Sequence, residues 1–524
     1  MLHQREHNAP SPTKPWTVWL LRLLVLCGVA SLFYYFSWWL EGDHLRSPLL
    51  LVVLVGAILY SGAQLVGIWI LSLAARRAAD PPPPDPDLTI DVFVTACGEP
   101  PALVERSLAA ACAMRGEHRT WLLDDAADPA LEALAEQHGA GYLTRSDRVN
   151  RKAGNVNAAL AQTDGDLVVI FDIDHVPTPD FLERTVGHFN DPEIGFVQVM
   201  LTFDNGDQSW VARSAMETSL EYYNPTSLGT DGVGAASLMG SNAVIRREAL
   251  ESLGGYLPGL ADDLATSMAL HAAGWRSTYV PEPLAPGISP PSFASWFVQQ
   301  LKWARGVFEL LITSYPRLFS RLTWGQRLAY ITRLTRYWIG PAIAIHLIAT
   351  IVVLIFGDIS TKIGFHHYLL HLGPLVVFDM LIRHVSLAIW QHEATPRTSL
   401  AGAVTLVYAT WPIYLLAWMM AVLRLPLAFK LTPKSGSEKL KVNWLLPQIL
   451  AVVLLVWGIL YTVYVANEQP SFLIMAAAVQ AVLQLRLLYK WLDSESPVSR
   501  HLPRRRTKAR KGSVLNNQTY RRSP

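Results

Sequence analysis

The chain has 524 residues, 51% of them apolar and 16% charged, which is too large for one hydrophobic core and too apolar for a wholly soluble protein. Its net charge is +2, and its basic residues crowd into the tail at 500–522 rather than covering a folded domain, which argues against a nucleic-acid partner. Cys27, Cys97 and Cys112 have no metal-ligand spacing and indicate no disulfide framework.

Residues 16–40 and 48–73 come first, each longer than the about 20 apolar residues that cross roughly 30 Å of hydrocarbon at 1.5 Å per residue. The first exceeds a signal-peptide core and the second follows directly, so both are expected to stay in the mature protein. Pro81-Pro82-Pro83-Pro84 is a stiff spacer and marks a domain boundary. From Thr89 to about Pro286, buried-strand patterns at 90–95, 120–123, 167–171, 195–199 and 277–280 alternate with helical patterns at 102–114, 129–138 and 264–273. The alternation predicts a mainly parallel, doubly wound α/β sheet with ligands beyond the carboxyl ends of its strands. Asp124, Asp125, Asp172 and Asp174 fall at such ends.

Residues 293–311 are amphipathic, with Trp296, Trp303 and Phe308 beside Lys302, Arg305 and Glu309, and are expected to lie at a membrane interface. Four more spans follow at 337–356, 369–390, 444–465 and 471–492, making six. The apolar stretch 401–425 is interrupted by Pro412 and is expected to be a second interfacial helix on the cytoplasmic face. With this parity Lys14, Arg22, Arg76, Arg77 and the tail share one side, leaving chiefly Arg46 and Lys362 opposite. The positive-inside rule then places both termini and the hydrophilic block in the cytosol, at a plasma (inner) membrane.

Phe171-Asp172-Ile173-Asp174 ends an apolar run. Side chains at i and i+2 of a strand point the same way, so the two carboxylates would lie roughly 7 Å apart and share one cation. Magnesium or manganese suits that pair, since each takes one or two carboxylates plus substrate phosphates. A surface turn accommodates the same tetrapeptide. Asp263, in Asp262-Asp263 at a helix start after Gly254-Gly255, offers a carboxylate for general-base work; an N-cap pair worth about 1 kcal/mol is the alternative. Arg151-Lys152-Ala153-Gly154-Asn155-Val156-Asn157 precedes a helical run and suits a phosphate or ribose, or else a solvated helix start. Gln299-Gln300-Leu301-Lys302-Trp303 combines polar donors with an indole that can stack on a pyranose or anchor at an interface. Asp379 and Arg383, four apart in a span, either neutralise each other or line a polar sugar path.

In order, these pieces resemble the catalytic subunit of bacterial cellulose synthase and its relatives among the family-2 processive glycosyltransferases. The resemblance runs through Asp91-Val92-Phe93-Val94 with Glu99-Pro100, Asp124-Asp125, Lys152 to Leu160, Phe171 to Pro177, Gly240-Ser241, Ala261-Asp262-Asp263 with His271 and Gly274-Trp275. It continues with Gln299-x-x-Lys302-Trp303 and Phe429-x-Leu431-Thr432-x-Lys434. It implies a GT-A glycosyltransferase domain set in a membrane domain of about six helices with amphipathic interface helices. Glu99, Asp125, Lys152 and Asp172 would bind the donor nucleotide, Asp172 and Asp174 the metal, Mg2+ or Mn2+, and Asp263 would be the catalytic base. Gln299, Lys302 and Trp303, with Asp262 and Met239, would hold the acceptor, and Phe429, Thr432 and Lys434 would form a gating loop. The implied reaction is an inverting transfer from a UDP-sugar, with UDP-glucose expected, to a growing glucan chain that is exported as it lengthens. Membrane lipids and a periplasmic partner subunit are the remaining partners implied.

The implied domains are two membrane helices in 1–80, a linker at 81–89, the catalytic domain at 90–290 and interface helices at 291–335. Two membrane helices in 336–400, an interface helix with the gating loop at 401–440, two more membrane helices in 441–493 and a basic tail at 494–524 follow. Departures from the cellulose pattern keep the polymer open between cellulose, β-1,3-glucan and mixed linkage: Ala261-Asp262 stands for Thr-Glu, Lys302 for Arg, Met239 for Cys, and Cys97-Gly98 for Tyr-Asn. The residues after the last span are too few for a C-terminal regulatory barrel, and the tail, with Arg500 and Arg504, is expected to meet anionic lipid or, alternatively, a dinucleotide. Two other readings stay open: transfer of one sugar to a lipid, and an inactive channel or scaffold.

Overall fold

The computed structural model describes residues 15–41, 47–356, 365–392, 400–427, 438–465 and 472–495. Helices α1 (Pro15–Leu40) and α2 (Pro48–Ala74) are largely apolar, with Arg22 the one charged residue of the pair. Ser47 starts α2 by accepting from the Leu50 amide, with Pro48 at the first helical position, where its missing N–H costs nothing. The hydrophilic block then runs β1 (Ile90–Ala96), α3 (Pro101–Cys112), β2 (Arg119–Asp124), α4 (Pro129–Gln137), β3 (Gly141–Thr144), α5 (Arg151–Leu160), β4 (Leu167–Asp172), β5 (Ile194–Val199) and β6 (Thr202–Phe203). It continues with α6 (Trp210–Glu221), a π-helical turn at Tyr222–Thr226, α7 (Ser227–Gly232), β7 (Ala243–Arg246), α8 (Arg247–Glu251), α9 (Asp262–Ala272), β8 (Arg276–Val280) and β9 (Pro286–Gly287). Beyond lie α10 (Phe293–Ile312), α11 (Ser314–Leu318), α12 (Trp324–Leu334), α13 (Ile339–Phe356), α14 (Phe365–Trp390), α15 (Ala401–Ala409), α16 (Trp411–Val422), α17 (Leu446–Tyr464) and α18 (Phe472–Glu495).

Seven strands form one sheet in the order β3-β2-β1-β4-β7-β5-β8, and β6 pairs with β9. The sheet is mainly parallel, as the alternation of patterns predicts, but β7 runs antiparallel to both β4 and β5. The four-residue β3 and β7 escape sequence analysis because each is too short for a period to register. In the central strands both faces are buried. Val92, Val94, Val169 and Phe171 pack with Val104 and Leu108 of α3 on one side, while Phe93, Val168 and Ile170 pack with Ala153 and Val156 of α5 on the other. Each such side chain contributes roughly 1.5–3 kcal/mol on burial, so a one-residue slip of β1 or β4 is heavily penalised and the strand ends are fixed.

Six helices are long and apolar enough to cross a membrane: Trp16–Leu40, Pro48–Ala74, Trp324–Phe356, Phe365–Trp390, Val442–Tyr464 and Leu473–Ser494. The third begins in α12, ahead of the expected start. Helices α15 and α16 are bent by 43° at Thr410, just before Pro412, and would make a seventh span if counted as one. Helix α10 departs from the simple interfacial expectation. Its Trp296 and Phe308 are buried with residues of α16, Trp296 Nε1 donates to Thr410 Oγ1 at 2.9 Å, and Arg305, expected on the polar face, is only 7% exposed. The block meets the membrane helices at α7, where Gly229 and Gly232 lie directly against the Leu71 and Ala74 carbonyls of α2, leaving no room for a side chain.

Candidate active site

Strands β2, β1 and β4 are neighbours and parallel, so their carboxyl ends open on one side of the sheet. After β1, Glu99 Oε2 accepts from the Cys97 amide at 2.6 Å. Burial, aided by the charges of Asp172 and Asp174, pushes the Glu99 carboxyl above its ordinary range. After β2, Asp124 is fully buried and shapes the turn, accepting from the Ala126 and Asp128 amides at 2.8 and 2.7 Å and from Tyr142 Oη at 3.0 Å. Asp125, expected at the nucleotide, has both oxygens on Arg145, at 2.6 Å to Nε and 3.0 Å to Nη2. Arg145 also donates to the Val149 and Arg151 carbonyls, so the pair holds the loop 145–151 in which Arg148, Asn150 and Arg151 all have positive φ.

The run Arg151 to Asn157, expected to precede a helix, lies within α5 from its first residue. Asn155 donates to the Leu123 carbonyl, and Asn157 exchanges hydrogen bonds with the Tyr256 backbone, so these amides tie the helix to its surroundings rather than facing a ligand. Lys152 is the group that faces outward. Its Nζ donates to Asp172 and to the Gly240 carbonyl. Asp172 closes β4, with its amide 2.9 Å from Ser241 Oγ and its carboxylate 3.4 Å from Thr95 Oγ1.

Asp174 is not on the strand. It lies in the turn after it, closed by the His175 amide on the Asp172 carbonyl at 2.9 Å, and its Oδ2 accepts from the Ile288 amide at 3.1 Å. The alternation argument therefore governs Asp172 alone, and the turn places its companion. Among the described residues no group of three or more His, Cys, Asp or Glu is arranged to hold an ion. Two hard carboxylates fit magnesium or manganese, which keep water and take substrate phosphates, but do not suit a metal needing a closed protein cage.

Gly240-Ser241 joins these parts. Gly240 takes φ +88°, and a Cβ there would lie 3.9 Å from Asp263 Oδ2. Thus the carbonyl that receives Lys152 belongs to a residue beside Asp263. Asp262 and Asp263 occupy the first turn of α9, each accepting from the next amide, at 2.9 and 2.8 Å, while Ala261 is the capping position. Burial raises both carboxyls, that of Asp262 to about 6 with the neighbouring Asp263 charge adding; Arg333 and Lys152 oppose the rise at Asp263. Met239 donates its amide to Gln198 Oε1 at 2.8 Å, just ahead of this bridge.

Of the expected acceptor residues, Trp303 is 39% exposed on α10 and Gln299 and Lys302 are partly buried. One turn on, a Cβ at Gly306 would lie 2.8 Å from the Ala261 amide, so α10 packs against the backbone that leads into Asp262. Phe429, Thr432 and Lys434 lie outside the described residues. Sequence analysis missed Arg145 and Arg333 and assigned no part to the bridging Gly240-Ser241. For Arg145 the spacing from Asp125 was the available signal; for Arg333, on a distant helix, there was none.

Residues 86–306 match the family described as "Glycosyltransferase like family 2". Cellulose synthase 1 of Komagataeibacter xylinus is 32% identical over 358 residues, covering 64% of this chain and 23% of that protein. The UDP-forming cellulose synthase catalytic subunit of Pseudomonas fluorescens (strain SBW25) is 30% identical over 383 residues, covering 70% and 50%. That of Xanthomonas axonopodis pv. citri (strain 306) is 32% identical over 299 residues, covering 55% and 41%. The chain thus spans half or less of the length of these relatives. Among solved structures, the mannosyltransferase PcManGT from Pyrobaculum calidifontis, in complex with GDP-Man and Mn2+, superposes with a TM-score of 0.51 at 18% identity, covering 70% of this chain and 98% of that one, a likeness of fold. Residues 86–306 are a family-2 glycosyltransferase-like domain of GT-A fold, carried by a chain whose sequence is cellulose synthase-like.

Proposed function

We propose that the chain is a membrane-embedded, inverting, processive glycosyltransferase that builds a β-glucan from UDP-glucose and passes it across the membrane. One observation carries this: the Lys152 ammonium bridges Asp172, at a strand end where a diphosphate would lie, to the Gly240 carbonyl, beside the Asp263 carboxylate. A diphosphate at Asp172 would thereby lie across Lys152 from the Gly240 backbone that adjoins Asp263. In the proposed step an acceptor hydroxyl oxygen attacks the anomeric carbon, forming the new C–O bond as the bond to the UDP oxygen breaks. Asp263 takes the hydroxyl proton, and the electron pair leaves with UDP. Lys152 neutralises part of the charge gathering on the diphosphate. Asp172 and Asp174 would hold a divalent cation, as the Mn2+ complex of the GT-A neighbour suggests, and its chemistry is to screen the same leaving group.

The similarity to UDP-forming cellulose synthase subunits supports UDP-glucose and a glucan product. The six apolar helices support a multi-pass location, with the catalytic block and termini proposed to be cytosolic. Membranes holding the protein should turn labelled UDP-glucose into a glucanase-sensitive polymer, lose that activity with a chelator and regain it with Mg2+ or Mn2+. Linkage analysis assigns the bond. Label found only in a lipid-linked monosaccharide would replace this reading with single-sugar transfer.

A further inference from the structure

On the membrane side of Asp263 stands a cation that no sequence motif marks. Arg333, in the last turn of α12, donates Nη1 to Ser237 Oγ, and its guanidinium lies 5.4 Å from the centroid of the Tyr222 ring. Arg336, one turn on, lies 5.3 Å from the centroid of the same ring. Tyr222 opens the π-helical turn, an irregularity that recurs at functional positions.

Ser237 begins the segment that runs past the base. The Leu238 amide donates to Ser267 Oγ at 2.8 Å, Ser267 Oγ donates to the Asp263 carbonyl at 2.7 Å, and Gly240 lies beside the Asp263 carboxylate. Among the described residues no carboxylate reaches ion-pair distance of Arg333, and its remaining N–H groups meet no acceptor. A half-buried guanidinium with no carboxylate in direct contact keeps most of its fork of donors open to another partner. Beyond it the polar lining continues: Tyr337 and Tyr414 rings lie 5.1 Å apart, and Tyr414 Oη donates to Gln300 Oε1 at 3.0 Å.

We propose that Arg333 is an acceptor-binding residue: held by Ser237 and the Tyr222 face, its free fork donates to hydroxyls of the terminal sugar and sets the attacking oxygen beside Asp263. The proposal rests on reading Asp263 as the base. The Arg333 charge also favours the ionised carboxylate against the burial that opposes it.

The test uses the full chain in membranes with glucose-labelled UDP-glucose, and measures polymer and free glucose together, since water can replace the acceptor hydroxyl. Arg333→Gln should lower polymer per donor consumed by 10-fold or more while donor KM stays near the wild-type value, even where loss of the charge beside Asp263 slows both routes together. Arg333→Lys, which keeps charge and bulk but loses the fork, should show the same shift in smaller degree, and reads the partition where Arg333→Gln fails to accumulate. A wild-type partition in the accumulating variant would overturn the proposal. So would equal loss of polymer and hydrolysis at an unchanged Tm, which would place Arg333 on the donor. A wild-type protein that releases no UDP at all would instead sink the underlying function.

Discussion

On the function proposed above, the donor side and the acceptor side of this site are built differently. Around the donor strands, three of the four carboxylates have a partner within 20 residues, Glu99 in the Cys97 amide, Asp125 in Arg145 and Asp172 in Lys152, and Asp174 alone depends on a distant one, the Ile288 amide. On the acceptor side the contacts join distant segments, Ser237 with Arg333, Gln300 with Tyr414 and Trp296 with Thr410. A sheet whose strands are fixed by buried apolar faces generates the first arrangement by itself. The second exists only when α10, α12 and α16 are packed, so the proposed acceptor side depends on the packing of these helices in a way the proposed donor side does not.

Asp263 stands where the two sides meet, and its replacement gives the largest effect. Asp263→Asn should lower UDP release in membranes by about 10²–10⁴-fold, the usual worth of a positioned general base. Folding should survive, because the Asn oxygen can still accept from the Leu264 amide, 2.8 Å away, and a buried charge is removed. UDP release and thermal melting in detergent read these two outcomes. Undiminished release would put the base elsewhere and break the division into donor and acceptor sides.

The same contrast governs what could be read from the sequence. The five apolar strand runs, the acids at their ends and the six spans were legible because each is a local pattern with its own period or length. Asp174 was misplaced because a turn, and not the strand, aims it. Asn155 and Asn157 looked like ligand donors, since sequence cannot show that the Leu123 carbonyl and the Tyr256 backbone already occupy them. Arg305 looked like the polar face of an interfacial helix until α16 and the Leu425 carbonyl were found against α10. Arg333 carried no signal at all, being 96 residues from its hydroxyl partner.

Arg145→Gln sharpens the comparison from the donor side. The pair with Asp125 is buried, the two side chains being 8% and 6% exposed, and breaking it strands a carboxylate away from water. The cost is about 3–5 kcal/mol. It falls on a loop already holding three residues at positive φ, so the loop should loosen before the sheet does. The expected result is a lower Tm and a raised donor KM, with polymer per donor consumed unchanged. An altered partition would mean that the donor loop also shapes the acceptor groove.

Asp231→Asn probes the membrane side through pH, with a smaller effect. Asp231 lies in α7, 5% exposed, where its Oδ1 accepts from the Tyr279 amide at 3.0 Å and Arg76, just past α2, approaches to 3.9 Å. Burial raises its carboxyl to about 6. A carboxyl raised on folding binds more protons in the native state than in the unfolded one between about pH 4 and 6. Its contribution is therefore full below pH 4 and is lost as pH climbs through 6, a change on the order of 2 kcal/mol. Asp262, also raised to about 6, and the raised carboxyls of Asp263 and Glu99 act in the same direction, so wild-type Tm should fall across this window from several sources. Asp231→Asn should remove one of them and leave a shallower fall, while the Asn oxygen still accepts from Tyr279. Melting curves at pH 4, 5, 6 and 7 decide the matter. An unchanged slope would mean that the Asp231 carboxylate is compensated in the fold, and that the α2–α7 junction is no more sensitive to protons than the donor strands are.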